Sequence, residues 1–410
     1  MTSSALGRDF QLLWSAAVSS RFGDALRAPA LALLAATVTR DPRIIAAVTV
    51  AGQLPPLLFG LLGGVYADRW DRRRTMAVVD GVRAAVVAAL AVVVALDRVS
   101  VLVLLVAAFL LATFGTLFDS ASFALLPALV PPDALPRANG RLQAGSAVAG
   151  GFLGAPAAGV LFAAAPALPF AVDAVTFAAA ALLVLALGAP PASTPGTARR
   201  RGSVWCEIVE GLRWLVAHRT LWRVTVLTAA SNLAISGIMA VLVLYALDVL
   251  RVPPAGYGLF AAAAIVGGVA GALGAGRLAA RLGTVPALRA VLAVETVALT
   301  GFALARHPVS GGIALAVFAA GTVVWNSLWA SYGQRQVPSE LLGRVGAAQR
   351  MVGLLTAPLG AALAGLAAAS YGTAPVAGAA AATFALVTVA AWRTLRPAVS
   401  AVSAVSSGAA

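Results

Sequence analysis

Long apolar segments alternate with short polar segments along all 410 residues of the chain. A helix that crosses the roughly 30 Å hydrocarbon core of a bilayer needs about 20 mostly apolar residues, at about 1.5 Å per residue. Twelve segments meet this requirement, whereas the strands of about ten alternating residues that are typical of membrane barrels do not appear. The predicted spans are residues 12–38, 43–67, 75–96, 100–126, 140–164, 167–188, 221–248, 256–279, 286–305, 310–334, 345–370 and 373–393. The pattern predicts an all-α integral membrane protein with twelve transmembrane helices.

The composition excludes several classes of protein. Hydrophobic residues make up 61% and charged residues 11% of the chain, against about 45–50% and about 25% in soluble globular proteins. The net charge of +14 lies in short loops between apolar segments, so we expect no nucleic-acid partner. The sequence contains no nucleotide-binding loop, His/Cys metal cluster or Ser/His/Asp arrangement. We therefore predict neither an enzyme nor a protein with a metal or another cofactor.

Arginine placement predicts the orientation. All 29 basic residues are arginine, and they concentrate in alternate loops. If the N-terminus is cytoplasmic, the outer loops hold only Arg40, Arg43, Arg98, Arg251 and Arg306. Because short cytoplasmic loops carry the excess of basic residues, we expect both termini in the cytoplasm. The first span has no cleavage site, and we predict a multi-pass protein of a bacterial inner membrane.

Residues 189–220 separate the spans into two groups of six. The segment begins as a Pro/Ser/Arg-rich linker and continues as an amphipathic helix, which lies either at the inner membrane surface or packed beneath the helix bundle. We therefore predict an N-terminal half at residues 1–188, this cytoplasmic linker, a C-terminal half at residues 221–396, and a flexible tail at residues 397–410.

The two halves contain a matching octapeptide. The pattern V-P-x-[DE]-x-L-x-R ends at Arg137 and again at Arg344, an offset of 207 residues (344 − 137). A parallel repeat of six spans is one of the internal symmetries of transporters, whose binding site lies between the repeats near the bilayer midplane.

A cluster of charges follows the second span, in the stretch GVYADRWDRR from Gly64 to Arg73. Gly64 allows close approach of helices. Asp68 can accept hydrogen bonds from the neighbouring arginines and form a charge latch that closes the cytoplasmic side. The alternative is simple anchoring by positive charge, which explains the arginines but not Gly64 and Asp68.

This stretch resembles the G-x-x-x-D-R-x-G-R-[RK] signature of the major facilitator superfamily, with Asp71 where the family usually has glycine. The resemblance implies two pseudo-symmetric halves of six helices each. It also implies a cytoplasmic gate formed by Gly64, Asp68, Arg69, Arg72 and Arg73.

The fifth span contains a second motif, GFLGAPAAG, at residues 151–159. Gly151, Pro156 and Gly159 match the antiporter motif of the same superfamily, while Ala155 and Val160 depart from it. Proline bends a helix and glycine allows close packing at the bend. The resemblance favours export, and a purely structural bend is the alternative.

Further stretches are similar to one branch of this superfamily, which holds macrolide-efflux-like proteins and the enterobactin exporter. They include SSRFGDAL in the first span, LVPPDALPRANG after the fourth and FAVDAVTF in the sixth. The resemblance implies a monomeric, proton-coupled exporter in the lipid bilayer that carries an amphipathic small molecule such as an antibiotic, a siderophore or a secondary metabolite. An uptake porter or lysolipid flippase on the same fold, or a non-transporting sensor or assembly protein, are the alternatives.

Ionisable residues within the spans are the candidate proton-coupling or substrate-cavity residues, because charge at the bilayer centre is costly. Asp24 and Glu295 lie mid-span, and Asp119 lies closer to the cytoplasm. Arg27 follows Asp24 at i+3, so a fixed ion pair with Arg27 or Arg21 is the alternative to a proton carrier.

Two asparagines and three further charges complete the set. Asn326 corresponds to Asp119 at the 207-residue offset, and Asn232 is a candidate cavity residue. We expect Asp80 and Arg83 to form a structural pair, and Asp173 to reach water from an outer span end.

The gate hypothesis makes a prediction about Asp68. Asp68→Asn removes the proposed acceptor of the latch, so we expect a shift toward the inward-facing state, measured as increased labelling of cysteines introduced on the cytoplasmic side. The equivalent position of the second half is Ala280, where a change should have little effect. Normal accessibility and transport in Asp68→Asn would refute the latch.

Overall fold

The computed structural model describes residues 7–69, 71–131, 134–188, 204–338 and 341–395. Of residues 60–69, 72, 123–124, 127–128, 136, 152, 204–208, 334–335 and 342–343 it describes the backbone alone. No strand occurs in this part of the chain. The α-helices are α1 (Arg8–Val38), α2 (Pro42–Arg69), α3 (Arg72–Ala95), α4 (Val101–Leu129), α5 (Leu135–Ala147), α6 (Ala155–Ala164), α7 (Leu168–Leu185), α8 (Val204–Ala217), α9 (Arg219–Leu244), α10 (Tyr257–Leu282), α11 (Thr284–Leu304), α12 (Pro308–Gln336), α13 (Leu342–Tyr371) and α14 (Thr373–Thr394).

The prediction of twelve membrane-spanning helices is confirmed. Eleven helical segments of the described residues are long and apolar enough to cross a membrane, and they correspond to the second through twelfth predicted spans. The first span is α1, whose 31 residues suffice in length. It is less apolar because Arg21, Asp24 and Arg27 lie within it.

The fifth span is not a single regular helix. Helix α5 continues as a π-helical stretch at Val148–Gly154, and α6 follows with Pro156 in its first turn. Proline has no backbone N–H, so the preceding turn loses a donor, and a wider π-type turn can accommodate this change. Thus Gly151 and Pro156 of the predicted bend flank the junction between π- and α-helix.

The bundle has two chemically distinct ends. Alternate helix ends carry most of the arginines, and we call this the arginine-rich end; it includes Arg8, Arg73, Arg137, Arg219 and Arg344. The opposite, arginine-poor end includes Arg40, Arg98, Arg251 and Arg306.

Helices α1–α7 form the N-terminal group and helices α9–α14 form the C-terminal group. The two groups pack together at the arginine-poor end. One apolar cluster there draws residues from both groups, including Leu33 and Ile45 with Ile238 and Tyr257. Arg40 and Asp248 form an ion pair across the same boundary at 3.1 Å.

Apolar packing at the arginine-rich end remains within each group. One cluster contains Phe10 and Met76 with other residues of α1, α3, α4, α5 and α7. A second contains Leu288 and Trp325 with other residues of α9–α12 and α14. The described side chains therefore join the two groups at the arginine-poor end and form separate cores at the other.

Helix α8 packs against the C-terminal group at the arginine-rich end. Leu215 is fully buried with Leu221 and Val345, and Glu210 forms an ion pair with Arg344 at 2.7 Å. Because Val209 and Val216 are exposed, α8 both contacts the bundle and presents apolar residues outward.

Helices α10 and α12 approach closely because α10 carries glycines on the shared face. A Cβ added to Gly271 would lie 2.9 Å from the Cα of Ala320, and one added to Gly267 would lie 2.8 Å from the Cα of Ala316. Backbone therefore packs on backbone along this contact.

A similar glycine contact joins the two groups at the arginine-poor end and generates a prediction. A Cβ added to Gly258 of α10 would lie 2.9 Å from the backbone nitrogen of Gly159 and against the carbonyl oxygen of Ala155. We expect Gly258→Val to prevent this approach, so that the arginine-poor end opens.

Double electron–electron resonance measures this opening. The two spin labels are attached to cysteines introduced by Arg98→Cys and Ser310→Cys, on a Cys206→Ser background. The distance should increase in Gly258→Val. Gly274→Val is the matched control, since Gly274 lies on the same helix and no atom of a described residue comes within 4 Å of an added Cβ there. An unchanged distance in Gly258→Val would contradict the proposed role of the contact.

Candidate functional site

Five charged side chains form one chain of ion pairs inside the N-terminal group. In order they are Asp173 of α7, Arg27 and Asp24 of α1, and Arg83 and Asp80 of α3. We call them the buried charge network. Acidic and basic groups alternate along it, and a carboxylate stands at each end.

Arg83 is the most buried basic residue of this network, with its side chain 2% exposed. Its guanidinium donates to Asp24 Oδ1 at 2.5 Å, to Asp80 Oδ1 at 3.1 Å and to the Ser20 hydroxyl at 3.0 Å. The ring of Phe177 lies against the guanidinium, with its centroid 3.9 Å from Cζ. Charge-assisted hydrogen bonds and this cation–π contact together replace the water that Arg83 lacks.

Arg27 occupies the equivalent position between Asp24 and Asp173. It donates to Asp24 Oδ1, and its Nε lies 3.3 Å from Asp173 Oδ2. Neither carboxylate oxygen of Asp173 accepts a hydrogen bond from a described residue, and its side chain is fully buried. The contact between Asp173 and Arg27 is thus an ion pair without a hydrogen bond.

Gly23 makes the close packing of α1 and α7 possible. An added Cβ at Gly23 would contact the Asp173 carboxylate and the Thr176 hydroxyl, and would lie 3.1 Å from Asp173 Cγ. Ser19, one turn away, donates its hydroxyl to the carbonyl of Thr176 at 3.1 Å. The network therefore fills the space that the missing side chain leaves.

One edge of the network borders a space between the N-terminal and C-terminal groups. Arg27 lines a cavity of about 280 Å³ together with Thr49 of α2, Met239 of α9 and Tyr257 of α10. The Asp24 side chain is 24% exposed, whereas Asp80 and Asp173 are fully buried behind it.

Asp119 lies apart from the buried charge network. It pairs with Arg21 at 2.6 Å, and both side chains are about half exposed. Asn326, its counterpart in α12, is also exposed. A charged pair within a span cannot face lipid at low cost, so we expect Arg21 and Asp119 to face a water-accessible space.

Glu295 is buried in the C-terminal group, away from the network. It packs on Gly321 and accepts a hydrogen bond from the Thr322 hydroxyl at 2.9 Å. No described basic residue pairs with it. Asn232 lies on α9 facing Gly353 of α13, so the structure does not bring these two residues together with Asp24.

The predicted gate is only partly described. Gly64, Asp68, Arg69 and Arg72 are described by their backbone alone, so the contacts of the Asp68, Arg69 and Arg72 side chains lie outside the described part of the structure. Arg73 donates to the carbonyl oxygens of Val184 and Leu185 at the end of α7. This contact ties the start of α3 to α7.

The predicted bend in the fifth span lies between α1 and α10. Gly151 packs against Ile265 of α10, and Gly159 packs against Ala255 and Gly258. The motif therefore lies where the N-terminal and C-terminal groups meet.

Two of the four ion pairs in the network, Arg27–Asp173 and Arg83–Asp24, join different helices and were not predicted from the sequence. Asp80 and Arg83 form the expected local pair, but Arg83 also joins them to α1. Asp173 does not reach water, because it faces α1 rather than the outside of the bundle. The available signal was that Asp173 has no arginine in its own helix, whereas Asp24 is flanked by both Arg21 and Arg27. No group of His, Cys, Asp and Glu suited to a metal ion occurs among the described residues.

The network predicts unequal effects for two Asp→Asn changes in spans. Asp24→Asn leaves Arg27 and Arg83 without their shared carboxylate, and breaking a buried pair costs about 3–5 kcal/mol. Asp119→Asn breaks a half-exposed pair, for which about 0–1 kcal/mol is expected. Thermal unfolding followed by size-exclusion chromatography compares the two variants. Equal stability would contradict the structural importance of Asp24.

The comparisons with known proteins agree with this architecture. The family model of the Major Facilitator Superfamily matches residues 13–361. A search of curated proteins gives no match.

Three solved structures are similar over nearly their whole length. The nucleoside transporter NupG has a TM-score of 0.74 at 12% sequence identity, and the match covers 95% of this chain and 100% of that one. A bacterial homologue of the iron transporter ferroportin, in an inward-facing state, has a TM-score of 0.74 at 15% sequence identity. The match covers 96% of this chain and 100% of that one. A bacterial homologue of the human lysosomal transporter Spinster, inward-facing and unoccupied, has a TM-score of 0.73 at 14% sequence identity. The match covers 96% of this chain and 98% of that one. The chain belongs to the Major Facilitator Superfamily and is a multi-pass membrane transporter of that fold.

Proposed function

We propose that the protein is a proton-coupled exporter of an amphipathic small molecule, in a bacterial inner membrane with both termini in the cytoplasm. The observation that carries the proposal is the buried charge network beside the cavity between the two groups of helices. Intramembrane carboxylates next to a substrate path are typical of proton relays in transporters. A passive membrane scaffold has no need of such a costly arrangement.

Export is favoured by the motif in the fifth span and by the resemblance to the efflux branch. The bend at Pro156 lies where the N-terminal and C-terminal groups meet, which is the position from which it can affect their relative movement. Amphipathic cargo fits an apolar cavity with one charged edge, since Arg27 borders a space otherwise lined mostly by Ala, Val, Ile and Leu.

The proposed orientation is supported by the distribution of charges and by the packing. Under the positive-inside rule, the arginine-rich end is cytoplasmic. The groups pack together at the arginine-poor end, so the conformation corresponds to an inward-facing state. In this proposal residues 1–188 and 221–396 rock about the cavity, and Asp68 with its neighbouring arginines closes the cytoplasmic side.

A susceptibility screen tests this function. A pump-deficient host that expresses the wild type should tolerate higher concentrations of one or more antibiotics or metabolites, and Asp24→Asn at equal membrane abundance should abolish the gain. Asp97→Asn is the control, because Asp97 lies in the exposed loop between α3 and α4.

Proteoliposomes then test coupling directly. An imposed pH gradient should drive each compound identified by the screen across the membrane against its concentration gradient. If no pH gradient moves any of them, and Asp24→Asn behaves as the wild type, proton-coupled export is excluded.

A further inference from the structure

We infer that the buried charge network binds one proton in this conformation, and that the proton resides on Asp173. Asp173 is thus a proton-binding residue of the sixth span, rather than a surface charge. The inference rests on the proposed proton coupling for its role in transport, and on the geometry of α1, α3 and α7 for the site itself.

The charge of the network is unbalanced. Asp24, Asp80 and Asp173 supply three negative charges, whereas Arg27 and Arg83 supply two positive charges. A buried group is tolerated when it is paired, and an uncompensated buried charge is neutralised instead. One added proton brings the network to zero net charge.

The proton belongs at an end of the network. Asp24 stands between the two guanidinium groups and accepts from both, so a proton there would leave Arg27 and Arg83 facing each other with one neutral partner between them. Each end carboxylate contacts only one guanidinium in the described ion pairs.

Asp173 is the less compensated end. Asp80 accepts a hydrogen bond from Arg83 at 3.1 Å. Asp173 has an ion-pair contact with Arg27 at 3.3 Å that does not form a hydrogen bond, and neither of its oxygens accepts a hydrogen bond from a described residue. Protonation gives Asp173 a donor of its own and removes the charge that its surroundings stabilise least.

Among the described residues of the helices packed against α7, the charged groups nearest Asp173 belong to the network. Helix α1 presents Asp24 and Arg27, and α3 presents Asp80 and Arg83. Helix α6, which also contacts α7, has no titratable residue in its sequence. The Arg21–Asp119 ion pair lies near the network but adds no net charge to it, so the charge count above is unchanged by that pair.

A proton fits this position better than a metal cation. Asp173 and Thr176 fill the space over Gly23 so closely that a Cβ there would collide with them. A bound Na⁺ would need several oxygen ligands around it, whereas the oxygens of Asp173 are already packed against helix α1.

Accessibility divides the network into two parts. Arg27 lines the cavity and the Asp24 side chain is partly exposed, whereas Asp173 is fully buried behind them. A proton that enters from the cavity reaches Asp173 past Arg27, and its arrival leaves Arg27 with one ionised partner instead of two. Protonation therefore alters the positive charge that the cavity presents to a substrate.

Infrared spectroscopy of the reconstituted full-length protein tests the inference without any substrate. A protonated carboxyl group has a carbonyl stretching band that an ionised one lacks. The wild type should show such a band at neutral pH, at the high frequency of a carbonyl that accepts no hydrogen bond, and the band should disappear on titration to alkaline pH. It should be absent in Asp173→Asn.

Two variants are matched controls. Asp97→Asn should retain the band. Glu295→Gln should retain it as well, while losing any separate band from Glu295, whose carbonyl accepts from Thr322 and so absorbs at lower frequency. Size-exclusion chromatography confirms that each variant is folded.

Three results would overturn the inference. A titrating band that persists in Asp173→Asn places the proton elsewhere. A band at the frequency of a hydrogen-bonded carbonyl assigns it to Asp80, which accepts from Arg83. A titration that changes when Na⁺ replaces choline assigns the positive charge to Na⁺. Loss of pH-driven transport with an intact Asp173 band would refute the proposed function and leave the proton site standing.

Discussion

A guanidinium group inside a membrane-spanning helix has to be surrounded by hydrogen-bond acceptors, and the packing of α1, α3 and α7 follows from this requirement at Arg83. Each of the three helices supplies a group that contacts it: Asp24, Asp80 and the ring of Phe177. The same three helices then have to accommodate Arg27 and Asp173. Replacing any one of these residues alters the balance for the others, so the N-terminal group depends on a set of side chains rather than on general hydrophobicity.

The spans could be predicted from sequence because bilayer thickness fixes the length of apolar segment that a helix needs. Helix α1 was also predicted as a span, since Arg21, Asp24 and Arg27 lie between long apolar stretches. The π-helical stretch at Val148–Gly154 was not predicted. Its residues are as apolar and as small as those of a regular helix, and the wider turn depends on Pro156 and on packing against α1 and α10.

The site could be predicted only where partners share a helix. Asp24 and Arg27 stand three residues apart, as do Asp80 and Arg83, so their pairing is visible in the spacing. Sequence position gives the depth of Asp173 in the membrane but not the direction in which its side chain points, and depth alone suggested contact with water. The partners of Glu295 and Asp119 come from neighbouring helices, which no local spacing indicates.

The glycine contact between α10 and α12 has a consequence for movement. The N-terminal group is held by directional ion pairs, which lose their geometry if one helix shifts along another. Along the face of Gly267 and Gly271, by contrast, the backbone of α12 lies directly against α10. We therefore expect shear, in which packed helices slide past one another by small amounts, at this contact rather than among α1, α3 and α7.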